Sequence, residues 1–292
     1  MSSTSPAKGL IALLRLPYWL MTGGLSLLTA FAITKDPLNI SVQTVLLIFF
    51  SMAFITSAGF AINDYFDRES DAVIKPNRPI PSSALSLKQV MAVSSVLFAL
   101  GLVMAALINW LSFAIIAVDS LLLLVYSYTV KRKSGFIANI LVGILTGTAF
   151  MYGQATISST VNLISLSLYP IAFGTIGGNI LRDILSIDGD SKVGYPTLPM
   201  KIGSVSATKV GALFFLLTGL LAPLPFFIGN FTVYYLPLIL LWSVLLIYAS
   251  IRLVTSASTL QNVRKYERIV TMSMILLPLA LIVEAVLGGW LI

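Results

Sequence analysis

Asn63-Asp64-Tyr65-Phe66-Asp67-Arg68-Glu69-Ser70-Asp71 stands at the end of a run, 37–63, that carries no charge. A bilayer core takes about 20 apolar residues per helical crossing, so this run is long enough to span one. It then ends abruptly in carboxylates. At about 100° per residue, Asp64, Asp67 and Asp71 share one helical face, and Asn63, Asp67 and Asp71 form an i, i+4, i+8 stripe. The reading is a membrane-spanning helix whose exit is built for polar chemistry.

The rest of the chain repeats the apolar half of that pattern. Stretches 16–34, 89–118, 134–181, 210–251 and 269–283 are also free of charge, and some are two crossings long. Of 292 residues, 58% are hydrophobic and 10% charged, against about 25% charged in an ordinary soluble domain. The expected fold is therefore all-α: a polytopic membrane protein whose nine transmembrane helices, near 10–33, 41–62, 87–108, 111–130, 136–157, 163–183, 207–228, 232–252 and 268–290, make one domain over 1–292. The polar first nine residues read as a frayed end, and the first apolar segment as a retained crossing, since it lacks a small-residue cleavage site.

Eighteen Lys and Arg against eleven Asp and Glu do not point to nucleic acid, because the basic residues are sorted by position. All but Lys35 lie at the amino terminus or in connections after even-numbered crossings. The positive-inside rule then puts the amino terminus and those connections in the cytoplasm. Arg264, Lys265 and Arg268 read as anchors of the last such loop.

Seven of the eleven acids crowd into two of these connections, Asp64 to Asp71 and then Asp183, Asp188 and Asp190. The offsets of Asp64, Asp67 and Asp71 recur as Asp183, Ser186 and Asp190, and a proline-rich basic stretch follows each set, 75–81 and 192–199. A solvated charge run explains Glu69 or Asp188 alone, but not a helix-periodic pattern that occurs twice. With no His and no Cys, thiol, imidazole and Cys/His zinc chemistry are excluded. Facing carboxylates need a cation, and the oxygen-only inventory suits Mg²⁺, which keeps room for phosphate oxygens. The expected ligand is a di- or triphosphate, with Arg68, Lys75, Arg78, Lys131, Arg182 and Lys192 available for its remaining charge. Asp119 stands alone inside crossing four, sharing a face with Tyr126. It reads equally as a cavity-lining base or as a packing hydrogen bond.

The motif 63–71, continuing through Lys75-Pro76-Asn77-Arg78-Pro79-Ile80-Pro81-Ser82, resembles the first motif of the UbiA-type intramembrane prenyltransferases, N-D-x-x-D-x-x-x-D. Tyr126 and Lys131 look like that family's Tyr/Lys motif, and 182–199 looks like its second Asp-rich motif. Within the family, Arg78 to Ser82, Gly135 to Gln154 and Asp188 to Pro199 are most similar to archaeal digeranylgeranylglyceryl phosphate synthases. The second motif departs from the pattern at Ser186, where its first Asp is usual, leaving either Asp183 or Asp188 to supply that oxygen.

The resemblance implies a nine-helix fold around a central cavity, with two Mg²⁺ ions and a prenyl diphosphate between the Asp-rich motifs. On that model Asn63, Asp67 and Asp71 hold one ion, with Asp64 in support, and Asp183 and Asp190 hold the other. Arg68, Lys131 and Arg182 grip the diphosphate, and Tyr126 belongs to the catalytic set. The implied reaction is Mg²⁺-dependent transfer of geranylgeranyl from its diphosphate to geranylgeranylglyceryl phosphate, so the partners are a prenyl diphosphate, a lipid-phosphate acceptor and the membrane. One rival keeps the chemistry but prenylates an aromatic acceptor; another is a cation-coupled transporter. Prenyl length and oligomeric state are not encoded in these motifs.

Overall fold

The computed structural model describes residues 5–257 and 259–291. Among them, nine helical segments are long and apolar enough to cross a membrane: α1 Pro6–Thr34, α2 Val42–Phe66, α3 Leu87–Ile108, α4 Trp110–Lys133, α5 Gly135–Ser158, α6 Leu163–Leu185, α7 Ser204–Phe227, α8 Val233–Thr255 and α9 Leu260–Leu287. No strand occurs among the described residues. Polar caps place many of the starts. Ser41, Asn109, Ser134 and Thr259 each accept from a backbone N–H in the first turn, and Ser86 and Gln89 form a reciprocal capping box.

Two boundaries differ from the sequence expectation. The chain is helical from Pro6, because Ser5 caps it, Pro6 suits the first turn and Gly9 packs on Ala84. The last crossing starts at Leu260 rather than 268, so Arg264, Lys265 and Arg268 sit on the first turns of α9 and not in a loop. Charge had hidden those turns, which bury Val263 and Tyr266 on one face and expose Leu260, Gln261, Arg264, Lys265 and Arg268.

Each helix packs on its successor, and α9 returns to α1. The far half of α1, Leu25–Thr34, also lies against α5. One core gathers Leu168, Ile180, Phe215, Trp242 and Leu281 from α6 to α9, and a second gathers Ile48, Met52, Ile116 and Tyr152 from α2, α4 and α5. Small residues let backbones meet: a Cβ on Gly23 would lie 2.5 Å from the Phe49 carbonyl oxygen. Leu100, Leu107, Leu121, Leu220 and Val244 face outward and exposed, as a lipid-facing surface requires.

The two ends of the bundle differ. Lys35, the one basic residue at the far end, approaches Glu284 at 4.0 Å. Glu284, fully buried, accepts from the Thr232 backbone N–H at 2.9 Å and its hydroxyl at 2.7 Å, tying α9 to the entry of α8. The near end holds the start of α1, both acid-rich motifs and the remaining Lys and Arg.

Candidate active site

Both acid-rich segments are bent helix ends. α2 stops at Asp67 (φ −84°, ψ 2°) and resumes as a short helix, Arg68–Ile74. α6 stops at Ser186 (φ −108°, ψ 8°) and resumes as Ile187–Lys192. Asp67 and Ser186 are the equivalent positions of the two sequence patterns, so the internal repeat extends to the backbone.

The bend divides the first acidic stripe. Asp64 and Asp71, both buried, share Arg78, whose Nη1 donates at 2.7 and 2.6 Å. Asp64 also accepts from Arg15 Nη2 at 2.6 Å, and the Arg15 guanidinium lies 4.2 Å from the Phe60 ring centre. Asp67 turns the other way. It accepts from Asn63 Nδ2 and from the Tyr195 hydroxyl, both at 2.8 Å, and from the Lys131 ammonium. Tyr195 also meets the Ser70 hydroxyl at 2.8 Å, and Lys131 stands 4.8 Å from the Tyr195 ring centre. Burial, followed by the charge of Asp67, pushes the Tyr195 hydroxyl above its ordinary pKa, which keeps it a neutral donor.

Lys131 and Tyr126 connect this centre to the second motif. Asp183 accepts from Asn139 Nδ2 of α5 at 2.8 Å and lies within electrostatic reach of Lys131, Arg182 and Asp190. Tyr126 lies within reach of both Asp67 and Asp183. It opens a π-helical turn, Tyr126–Val130, at the end of α4, a local widening found often at functional sites. Asp190 accepts from the Ser186 hydroxyl at 2.7 Å. The residue that replaces the usual acid thus orients the remaining one. Asp188 is exposed.

The structure does not draw every candidate into this centre. Arg68 donates to the Tyr65 carbonyl at 3.1 Å and to exposed Glu69 at 3.2 Å. Arg182 pairs with Glu267 of α9 at 3.2 Å and with Asn179. Lys192 is exposed beside a cavity of about 460 Å³, with Arg132 and Tyr195 on its walls. Lys75 and Arg78 line another, of about 450 Å³, with Arg15 and Asp64. Desolvation in that wall, then the Arg78 charge, holds the Lys75 ammonium below its ordinary pKa. Asp119 is buried between α4 and α5, one oxygen accepting from Thr148 at 2.7 Å and the other without a partner. Half of the packing reading is therefore realised.

Arg15, Asn139 and Tyr195 touch the acidic residues, yet the motifs did not single them out. Arg15 and Asn139 are lone polar side chains in or beside apolar runs, where desolvation demands a partner; that was the available signal. Tyr195 carried none beyond its place in the second proline-rich stretch.

Among the described residues no three acidic side chains form a ready-made ligand set. Magnesium does not require one, since it usually takes one or two carboxylates and fills its octahedron with water and phosphate oxygens. Asn63 Oδ1 is buried with no hydrogen-bond donor, beside Asp67. An orphaned oxygen next to a carboxylate is what a hard cation would satisfy, so the residues present fit such an ion.

Residues 19–279 match the model of the UbiA prenyltransferase family. The chain belongs to that family and is an intramembrane prenyltransferase. It is 36% identical to the digeranylgeranylglyceryl phosphate synthase of Natronomonas pharaonis over 231 residues, 78% of this chain and 81% of that one. It is 32% identical to the synthase of the same name from Methanocaldococcus jannaschii, covering 85% and 86%. A solved structure concerned with digeranylgeranylglyceryl phosphate synthase superposes with a TM-score of 0.82 at 28% identity, over 96% of this chain and 99% of that one. A UbiA homologue from Archaeoglobus fulgidus, bound to DMAPP and Mg²⁺, shares the fold with a TM-score of 0.67 at 22% identity, over 93% and 98%. Family membership sets aside the transporter reading.

Proposed function

We propose that this enzyme transfers a geranylgeranyl group from its diphosphate to the hydroxyl of geranylgeranylglyceryl phosphate, forming the second ether bond of an archaeal lipid. The acceptor rests on the likeness to synthases of that product, and the basic near end supports a cytoplasmic site. One observation carries the chemistry: Lys131, ion-paired with Asp67 of the first motif, lies within electrostatic reach of Asp183 of the second, and Tyr126 within reach of both acids.

In this reading Asn63 and Asp67 would hold one Mg²⁺, and Asp183 and Asp190 the second; Asp71, expected from sequence beside Asp67, is taken up by Arg78 across the bend, and Asp188 is exposed. A Mg²⁺-bound protein of the same fold supports the metal. When bound, the ions neutralise charge on the departing diphosphate. The chain's own groups do the rest. Lys131, beside Asp67, would grip the diphosphate. Tyr195 and Asn63 hold Asp67 in place, and Asn139 and Ser186 hold Asp183 and Asp190. The allylic C–O bond breaks, its electron pair leaves with diphosphate, the acceptor oxygen attacks the allylic carbon, and the hydroxyl proton passes to the departing diphosphate.

The experiment is incubation of purified protein with Mg²⁺, labelled geranylgeranyl diphosphate and either the lipid-phosphate acceptor or 4-hydroxybenzoate. Product from the lipid phosphate is expected; product from the aromatic acceptor alone overturns the assignment.

A further inference from the structure

The acid-rich centre accounts for a metal-bound diphosphate, but it does not account for the cavity on the other side of Asp64. That cavity, about 450 Å³, is bounded by Arg15, Asp64, Lys75 and Arg78, with Ala12 and Ile74 as apolar wall. Neither Asp67 nor Lys131 lines it, and Arg78 on its wall bridges Asp64 and Asp71. Three cations line it with one carboxylate, Asp64, and Arg78 also pairs with Asp71 outside the wall. Among the described residues Lys75 makes no ion pair, Arg15 engages Asp64 through Nη2 alone, and Arg78 uses only Nη1. A guanidinium offers five N–H donors in a fixed fork that matches phosphate oxygens.

Building on the reaction assigned above, we infer that Arg15, Lys75 and Arg78 form a phosphomonoester subsite that holds the acceptor by its phosphate, apart from the diphosphate centre. The cationic excess allows it to bind without a metal, unlike the acid-rich centre beside it. In the acceptor, the phosphate and the attacking hydroxyl sit on neighbouring carbons of one glycerol. A phosphate in this cavity therefore presents that hydroxyl close to the wall made by Asp64, one helical turn from Asp67. Ala12 and Ile74 give the attached chain an apolar start. Lys75 and Arg78, expected from sequence on the diphosphate, act on the acceptor instead, and Arg15 joins them.

The test separates the two substrates. Lys75→Met, which breaks no ion pair, is expected to raise KM for the lipid-phosphate acceptor about tenfold, the loss of one charge-assisted hydrogen bond, with KM for geranylgeranyl diphosphate within about twofold of wild type. A rise in the diphosphate KM instead, or no change in either, overturns the assignment. A calorimetric titration with glycerol phosphate and no metal decides the cavity independently of turnover. Weaker binding to Lys75→Met than to wild type supports it even if only an aromatic acceptor is prenylated; equal binding, or none to wild type, refutes it. Arg15→Lys, which keeps the charge on Asp64 but loses the fork, is expected to show the same acceptor-selective loss.

Discussion

Asp67 and Ser186 occupy one register in two helix ends, and the chain bends at both, yet their surroundings are opposite. In the first motif every buried carboxylate has a cation: Asp64 has Arg15 and Arg78, Asp67 has Lys131, and Asp71 has Arg78. In the second, no carboxylate forms an ion pair among the described residues. Asp183 accepts from an amide, Asp190 from a hydroxyl, and Asp188 is exposed. The difference separates two jobs. The first end is neutralised by the chain itself and holds its shape with no ligand. The second has no cation from the chain among the described residues, so an external one would suit it.

The largest test of that contrast removes a carboxylate from each end. Asp67→Ala and Asp190→Ala should each lower turnover by more than about 10³, by analogy with loss of transition-state charge stabilisation, while the protein stays inserted in the membrane. Near-normal rates in either would detach that end from the site. Lys131→Ala, which removes the group between the two ends, should cost on the order of 10²–10³ in kcat, read in single-turnover kinetics.

Metal should then act unequally. In detergent, Mg²⁺ at about 100 times its Kd should stabilise wild type by about 2.7 kcal/mol. The thermal midpoint of the Asp183→Asn/Asp190→Asn double variant should gain far less, and an equal gain would place the metal elsewhere. Without metal the order reverses. Asp64→Asn leaves Arg15 and Arg78 short of a partner and should cost about 2–3 kcal/mol, a buried-pair value discounted for their partial exposure. Asp188→Asn should stay within about 0.5 kcal/mol. The smallest effect belongs to Arg68→Ala, which breaks an exposed pair with Glu69 and a hydrogen bond to the Tyr65 carbonyl and should change kcat/KM by less than about threefold. A hundredfold loss would return Arg68 to the diphosphate.

The crossings were legible because charge-free runs of bilayer length leave few alternatives, and capping residues mark many of their starts. The eight residues added to the front of α9 were not, since they are amphipathic and carry Arg264, Lys265 and Glu267. The acidic residues were legible from periodicity, but their sorting was not. A continuous helix places Asp64, Asp67 and Asp71 on one face, whereas the bend at Asp67 sends Asp64 and Asp71 to Arg78 and Asp67 to Lys131. Arg15 meets Asp64 across 49 positions and Tyr195 meets Asp67 across 128. Such contacts come from packing, which local pattern does not contain.

Binding of an unreactive geranylgeranyl thiolodiphosphate, measured at saturating Mg²⁺ in wild type, Asp67→Asn and Asp190→Asn, bears most directly on the joint use of both helix ends. Each single variant is expected to weaken binding by at least about a hundredfold, since a pyrophosphate clamped from two sides loses its seat when either side is neutralised. Wild-type affinity in one of them would show that only a single end holds the ligand.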